Sequence, residues 1–335
     1  MQYPAPKQEY KVMVQCCTYN QSQYIEDALK GFAMQQTNFP FICCVFDDAS
    51  TDGEQEVLKS WINSHCDLEH VEVYDHPLTM LHMAPDKNNS NCIYAIHLQK
   101  VNTWENPEKR EMIAYWEKQC EYIAICEGDD YWTDPLKLQK QVNFLDENPE
   151  YGLVYTKAKV FNQNNNKLED YTIGQDANSF DDLIKLNCIG TLTACFRKEL
   201  YKKYYREITI DPSWKMGDYP IWLFISLNSK IKFLNEITAV YRKQEQSASN
   251  YNNIKGQLSF IESISDICSF FLSFANRWDL KNTYKEHILN LIINGYISHD
   301  LPIKYSSIVD YWRWKPKFIL KYLLSQLTIT RKLLR

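Results

Sequence analysis

Glycine is scarce in this chain, nine among 335 residues, and none of the nine falls in a GxGxxG or GxxxxGK[ST] pattern. That excludes the dinucleotide fingerprint and the P-loop, two devices that cradle phosphate on backbone amides. No GxSxG occurs, and no Ser/His/Asp set stands out. Basic residues are not in excess: the formal net charge is −5, which argues against a nucleic-acid partner. No apolar run approaches the roughly 18 residues of a membrane span. Met1 to Lys11 lacks the apolar core of a secretory signal, so the expected compartment is the cytoplasm. Cysteine is plentiful, eleven residues, but CxxC spacing is missing and Cys16-Cys17 and Cys43-Cys44 sit inside apolar runs. These read as reduced core residues.

What remains, 45% hydrophobic and 14% aromatic residues, is the composition of a globular protein with a substantial core. Short apolar runs alternate with helical patterns over the first two thirds, the signature of an α/β fold with a largely parallel sheet. Strands are predicted at Val12 to Cys17, Phe41 to Phe46, His70 to Asp75, Tyr122 to Cys126, Leu153 to Phe161 and Thr191 to Arg197. A helix with Tyr24, Ile25, Ala28, Leu29, Phe32 and Ala33 on one face follows the first strand, with Asn20 and Gln23 spaced as a capping box. Thr51-Asp52-Gly53-Glu54 starts a second helix. Asp134-Pro135 starts a third, with Leu138, Val142 and Leu145 as its apolar stripe. The stretch from His82 to Trp116 has weak periodicity; the expectation there is a helix around Ile93 to Leu98 within a long surface excursion. From about residue 250 the pattern is helical. The organisation predicted is a catalytic domain over 1–249 and a helical region over 250–335, with a loose boundary near Ser247 to Asn253.

Two predicted strands end in carboxylate clusters, Asp47-Asp48 and Glu127-Gly128-Asp129-Asp130. Ligands of an open α/β sheet bind beyond the carboxyl ends of its strands, so both clusters are expected to line one crevice. So many carboxylates at one edge repel one another unless a cation or a donor-rich ligand lies between them. Oxygen ligands suit Mg²⁺ or Mn²⁺, which commonly bridge acidic side chains to substrate phosphates.

Three stretches then carry a resemblance: Val12-Met13-Val14-Gln15-Cys16-Cys17-Thr18-Tyr19-Asn20 with Tyr24-Ile25, Val45-Phe46-Asp47-Asp48-Ala49-Ser50-Thr51-Asp52-Gly53, and Tyr122 through Trp132. In this order they resemble the family 2 glycosyltransferases of GT-A fold, over roughly residues 10 to 245. The resemblance implies a Rossmann-like mixed, mainly parallel sheet flanked by helices, here with a helical C-terminal extension. It implies a metal-dependent inverting transferase moving one sugar from a nucleoside diphosphate sugar, a UDP-sugar first, to a hydroxyl of a glycan or lipid-linked oligosaccharide in bacterial surface polysaccharide synthesis. Thr18 and Asp47 or Asp48 match positions that hold the donor's base and ribose, with Tyr19 beside them. Glu127-Gly128-Asp129 matches the DxD motif: Asp129 is the implied ligand of Mn²⁺ or Mg²⁺, with Glu127 or Asp130 assisting. Glu127 departs from the usual first Asp by one methylene, which leaves a ribose contact or a water-mediated role open beside direct contact with the metal. Met216-Gly217-Asp218-Tyr219-Pro220-Ile221-Trp222 resembles the later acidic motif and makes Asp218 the implied general base. Trp132 is a candidate for stacking on a sugar ring. Arg242 and Lys243 are candidates for approaching the diphosphate. The competing readings are a sugar nucleotidyltransferase, which would need a Gly- and Arg-rich loop where Gln15 to Gln23 stands, and a non-catalytic protein of the same fold.

The net charge is unevenly distributed. Tyr311 to Arg335 carries seven Lys or Arg and no acid, leaving −12 on the residues before it. After Pro316, Leu320, Leu323, Leu324, Leu327 and Leu334 fall on one side of a helix and Lys321, Ser325, Thr328, Lys332 and Arg335 on the other. With Trp312 and Trp314 ahead of it, such a segment suits the anionic inner face of a cell membrane, a peripheral attachment.

Overall fold

A run of nine residues, seven of them buried, forms the middle of the sheet: Val12, Met13, Val14 and Cys16 are all fully buried. This is β1 (Tyr10–Thr18) in a computed structural model of the chain, which describes residues 9–103, 107–244, 253–311 and 316–326. The elements that follow are α1 (Ile25–Ala33), β2 (Phe41–Asp47), α2 (Glu54–His65), β3 (Glu72–Asp75), β4 (Thr79–Pro85), β5 (Cys92–Gln99), α3 (Pro107–Glu117), β6 (Cys120–Ile125), β7 (Tyr131–Trp132) and α4 (Lys137–Glu147). Then come β8 (Tyr151–Asn162), β9 (Lys167–Ile173), α5 (Phe180–Lys185), β10 (Cys195–Arg197), α6 (Lys198–Glu207), α7 (Tyr219–Asn228), β11 (Lys230–Lys243), α8 (Ile254–Phe274), α9 (Lys281–Ser298) and α10 (Pro316–Ser325).

The strands lie in the order β3-β4-β5-β2-β1-β6-β10-β8-β11-β7, with β9 beside β8. Its centre, β5-β2-β1-β6, is parallel. Antiparallel pairs flank it, β3-β4-β5 on one side and β6-β10-β8 on the other. Parallel strands must be covered on both faces, and the sequence supplies apolar side chains at nearly every position of β1, β2 and β5. The carboxyl ends of four parallel strands therefore share one edge, and the residues that follow β1, β2 and β6 meet there.

Two compact units divide the chain. The first runs to Asp176 and adds Cys188–Lys203 and Asn228–Arg242; the second comprises Ala177–Asn187, Tyr204–Leu227 and the chain from Lys243. In the second, α8 packs along α9, and Tyr219 of α7 reaches the Leu183 carbonyl at the end of α5 with a 2.8 Å hydrogen bond. The expected boundary at Ser247 to Asn253 falls mostly outside the described residues; Asn253 itself caps α8, its side chain accepting from the Gly256 amide.

Several local expectations change. Ile93 to Leu98 is not helical: it lies in β5, where all eight residues are buried and pair with β2 and β4. A short run buried on both faces has no period that separates strand from helix, and tertiary pairing decides. The carboxyl half of Thr191 to Arg197 is strand, but its first turn is 3-10 helix. Asn20 caps no helix. It takes φ +54°, α1 begins at Ile25, and the side-chain Oδ1 of Asn20 instead accepts from the Thr51 amide at 2.8 Å. Leu138, Val142 and Leu145 form the buried stripe expected of α4. All eleven cysteines are free thiols, nine of them buried and Cys17 and Cys188 partly exposed.

Candidate active site

The three loops at the sheet's edge are knitted together by main-chain bonds. The amide of Asp48 donates to the Thr18 carbonyl at 3.0 Å, and that of Gly128 to the Cys17 carbonyl at 3.2 Å. Beyond β6 the chain makes a tight turn, the Asp130 amide donating to the Glu127 carbonyl at 3.2 Å. Three carboxylates thus sit within four residues. Gly128 lets the turn lie against β1: a Cβ there would fall 2.3 Å from Thr18 Oγ1 and 2.6 Å from Gln21 Oε1.

Glu54 organises the loops after β1 and β2. It is fully buried in the first turn of α2. One of its carboxylate oxygens accepts the Thr18 hydroxyl; the other accepts the Gln21 amide at 2.8 Å and the Ser50 hydroxyl at 2.9 Å. Burial raises the carboxyl's pKa despite these donors. Between them Ala49 takes φ +61°, a left-handed conformation uncommon for alanine.

The paired aspartates at the end of β2 differ sharply. Asp48 is enclosed in the fold: Oδ1 accepts the amide and hydroxyl of Thr103 at 2.6 and 2.7 Å, and Oδ2 pairs with Lys109 at 3.0 Å. Burial alone would raise its pKa, but the Thr103 bonds and the Lys109 charge hold it below the usual range. In Asp47, Oδ1 accepts from Gln55 at 2.5 Å and from the Ser50 amide at 3.3 Å. Its Oδ2 is buried with no hydrogen-bond partner among the described residues, and burial raises the carboxyl's pKa. A lone buried acceptor of this kind costs about 1–3 kcal/mol and is an invitation to an N–H donor from a ligand.

The acidic turn is electrostatically loaded. Burial pushes the Asp129 carboxyl above the ordinary range, opposed by its own amide, the charge of Arg242 and a bond from Gln21. Asp130, buried beneath the turn, is raised further by burial and then by the charge of Asp129; its Oδ1 accepts the Arg242 amide at 2.7 Å. Glu127 and Asp129 remain partly exposed. Two carboxylates on one turn suit Mg²⁺ or Mn²⁺, ions that complete their shells with substrate phosphates and water. Among the described residues no group of three or more His, Cys, Asp or Glu side chains is gathered to hold an ion, so phosphate would have to complete the coordination.

A family model, "Glycosyl transferase family 2", matches residues 14–80, the stretch holding β1, the loop after β2 and α2. Over those residues the chain carries the sequence pattern of that family. It is 30% identical over 230 residues to uncharacterized proteins of Mycobacterium tuberculosis and Mycobacterium bovis, covering 68% of this chain and 57% of theirs; it thus spans little more than half the length of these relatives. It is 23% identical over 234 residues to a putative teichuronic acid biosynthesis glycosyltransferase, TuaG, of Bacillus subtilis, 70% of this chain and 79% of that one. Among solved structures, S. aureus TarS superimposes with a TM-score of 0.54 at 16% identity, over 96% of this chain and 53% of that one. A mannosyltransferase from Pyrobaculum calidifontis does so with 0.52 at 13%, over 99% and 88%. The fold is the GT-A fold of this family.

Within that fold, Thr18, Asp47, Glu127 and Asp129 come together at the sheet's edge, and Tyr19 lies half-exposed beside them. Asp218 belongs to the second unit. It stands half-buried just before α7, its Oδ1 accepting the Tyr219 amide at 2.8 Å. Trp132 is not available to a sugar. It is 2% exposed, its indole donates to the Leu192 carbonyl at 2.8 Å, its ring meets Phe32 edge-on, and the buried Lys137 ammonium sits 4.2 Å above it. The alternation of β7 turns this residue inward, where Gly31 of α1 packs directly on its backbone. Arg242 does not reach outward either; its guanidinium is enclosed among Tyr24, Tyr131 and Phe161. Glu54, Gln55, Thr103 and Lys109 are the supporting residues that sequence reasoning missed. Glu54 had the ordinary look of an acid at a helix start, and Thr103 and Lys109 lie where periodicity is weakest.

Proposed function

We propose that this protein transfers a single sugar, with inversion, from a nucleoside diphosphate sugar to a hydroxyl of a glycan or lipid-linked oligosaccharide, assisted by a divalent cation. The observation that carries the reading is the unpartnered Oδ2 of Asp47 beside the acidic turn Glu127–Asp130. A base edge with an N–H satisfies the first and a metal-bound diphosphate the second. Comparison supports the donor class: a TarS fragment, residues 1–349, was solved with UDP-GlcNAc (TM-score 0.51, 17% identity, 94% of this chain and 90% of that one). The Pyrobaculum enzyme was solved with GDP-Man and Mn²⁺. TuaG is named for teichuronic acid biosynthesis, consistent with a bacterial surface polymer as acceptor.

Roles follow from chemistry. Asp47 reads the base, while Thr18, held by Glu54, and Tyr19 shape the wall around the nucleoside. Asp129, with Glu127 directly or through water, would hold Mn²⁺ or Mg²⁺, which as a Lewis acid offsets the charge on the departing diphosphate. Asp130 supports the turn from beneath. Asp218 takes the proton from the acceptor hydroxyl as that oxygen attacks the anomeric carbon opposite the leaving group. Arg242 carries its charge into the turn without touching the diphosphate.

The basic C-terminal segment would hold the enzyme near an anionic membrane at the cytoplasmic face. In α10, Phe318 and Ser325 are buried, whereas Leu320 and Leu323 are each 57% exposed. Trp312, Trp314, Leu327, Thr328, Lys332, Leu334 and Arg335 lie outside the described residues. No helix among the described residues is long and apolar enough to cross a membrane, so attachment would be at the surface.

The deciding experiment uses Asp129→Asn and Asp218→Asn, each shown to be folded. Both should lose sugar transfer by two or more orders of magnitude, on the scale of a lost acid–base or electrostatic group. Transfer at the wild-type rate by either would refute its assigned role. A thermal-shift screen of nucleoside diphosphate sugars with Mn²⁺ identifies the donor, since a ligand bound to the native state raises the melting temperature.

A further inference from the structure

Arg242 donates hydrogen bonds to four groups of the chain, all of them around the acidic turn and its neighbours. Its Nε donates to the main-chain carbonyl of Asp129 at 2.8 Å, and its own amide donates to Asp130 Oδ1 at 2.7 Å. One terminal nitrogen donates to Gln163 Oε1 at 3.1 Å, the other to Asp27 Oδ2 at 2.8 Å. The guanidinium carbon lies 4.7 Å from the ring centre of Tyr24, 5.2 Å from that of Tyr131 and 5.7 Å from that of Phe161. The side chain is 7% exposed. Four segments, α1, the acidic turn, the end of β8 and the end of β11, thus meet on one planar cation.

We propose that Arg242 is a positioning residue for the metal-binding turn, a clamp that fixes the backbone of Asp129 and so the direction of its carboxylate. The inference rests on the donor reading above. The acidic turn is closed by a main-chain bond from Asp130 to Glu127, which does not engage the Asp129 carbonyl. Arg242 holds that carbonyl and the carboxylate of Asp130 from one residue. Its own orientation is set by Asp27 and by the aromatic rings. The fork geometry is essential: a lysine keeps the charge but cannot donate in three directions in one plane or stack on rings to the same extent. Residues that orient a metal ligand typically matter about 10–100-fold in metal affinity.

The test measures Mn²⁺ affinity of the full chain from the electron paramagnetic resonance signal of free Mn²⁺, with UDP present, and separately measures UDP affinity in EDTA by calorimetry. Arg242→Lys should bind Mn²⁺ about tenfold or more weakly, with metal-free UDP affinity kept within about twofold. Asp27→Asn removes the clamp's outer anchor at a half-exposed position and should give a smaller loss of the same kind. In the double variant the losses should not add, because both act through one guanidinium. Asp27→Asn also carries the test if Arg242→Lys fails to fold. Wild-type Mn²⁺ affinity in a folded Arg242→Lys protein, or in folded Asp27→Asn if only that variant folds, overturns the inference. An equal loss of UDP binding without metal overturns it as well, since the role would then be that of a general pocket wall. Absence of Mn²⁺ binding in the wild-type protein would overturn the donor reading itself, and this inference with it.

Discussion

Gly128 lies against Thr18 so closely that no other residue fits: the Cβ of an alanine would meet Thr18 Oγ1 at 2.3 Å and Thr18 Cβ at 2.7 Å. The threonine cannot swing aside cheaply, because its hydroxyl is held by Glu54 and Gln21. Gly128→Ala should therefore push the acidic turn away from β1. The expected cost is about 1–3 kcal/mol, typical of overpacking, with a larger fractional loss in nucleotide binding than in stability. Chemical denaturation and calorimetry with UDP separate the two; unchanged UDP affinity would contradict the proposed contact between the loops.

The two aspartates after β2 should fail differently. Asp47→Asn replaces a carboxylate whose Oδ2 has no partner among the described residues, so the fold should tolerate it while nucleotide affinity falls. Asp48→Asn breaks a buried pair with Lys109 and weakens two bonds to Thr103. A stability loss of about 2–3 kcal/mol is expected, below the range for fully buried pairs because Lys109 retains some exposure. Urea denaturation and calorimetry on both variants give the four numbers required, and a reversed pattern would exchange the two roles.

His97 predicts an acid sensitivity unrelated to the active site. Its ring is fully buried, stacked 4.7 Å from Phe46, and its Nε2 accepts the Trp116 indole at 2.8 Å. Burial, aided by His76, lowers its pKa to about 3. The folded protein keeps this imidazole neutral while the unfolded chain protonates it near pH 6.5. The contribution is therefore complete above pH 6.5 and declines as pH falls from 6.5 toward 3, by up to about 1.4 kcal/mol per unit. His97→Gln should flatten that part of the stability profile relative to wild type. Parallel urea curves at pH 7 and pH 5 test it, and identical slopes for the two proteins would remove the histidine from the account.

Deleting residues 311 to 335 should release the protein from vesicles containing anionic lipid and leave UDP binding intact. The deleted stretch carries +7 against −12 on the rest, so retention should also fall with added salt. Sedimentation with vesicles of phosphatidylserine and phosphatidylcholine measures it. Equal binding by the truncated chain would place the attachment elsewhere.

Much of the site is legible in the sequence because its parts are local. β1, β2 and β6 are largely apolar runs buried on both faces, and each delivers its polar residues at or just past the end of the strand: Thr18, Asp47 and Glu127. The strand β5 is hidden for the same reason in reverse. Cys92–Gln99 is buried throughout, has no alternation to betray a strand, and follows a polar run from Lys87 to Asn91 that suggests a loop. Choosing Asp47 over Asp48 needs Thr103 and Lys109, which are more than fifty residues away. The clamp on the acidic turn is least visible of all, since Arg242 bonds to Asp27 across 215 positions and to Asp130 across 112. Contacts of that range have no periodic signature.

The distribution of thiols provides a built-in gauge of how often the fold opens. With nine cysteines sealed inside, a reagent added to the native protein can reach Cys17 and Cys188. Burial pushes Cys17 up to about 11, so at neutral pH it is overwhelmingly the unreactive thiol rather than the nucleophilic thiolate. Adducts beyond those two sites must come from molecules in which the fold around the modified cysteine has transiently opened. Counting them by mass against time, at reagent concentrations where modification outpaces reclosing, would read the opening rate without denaturant or ligand.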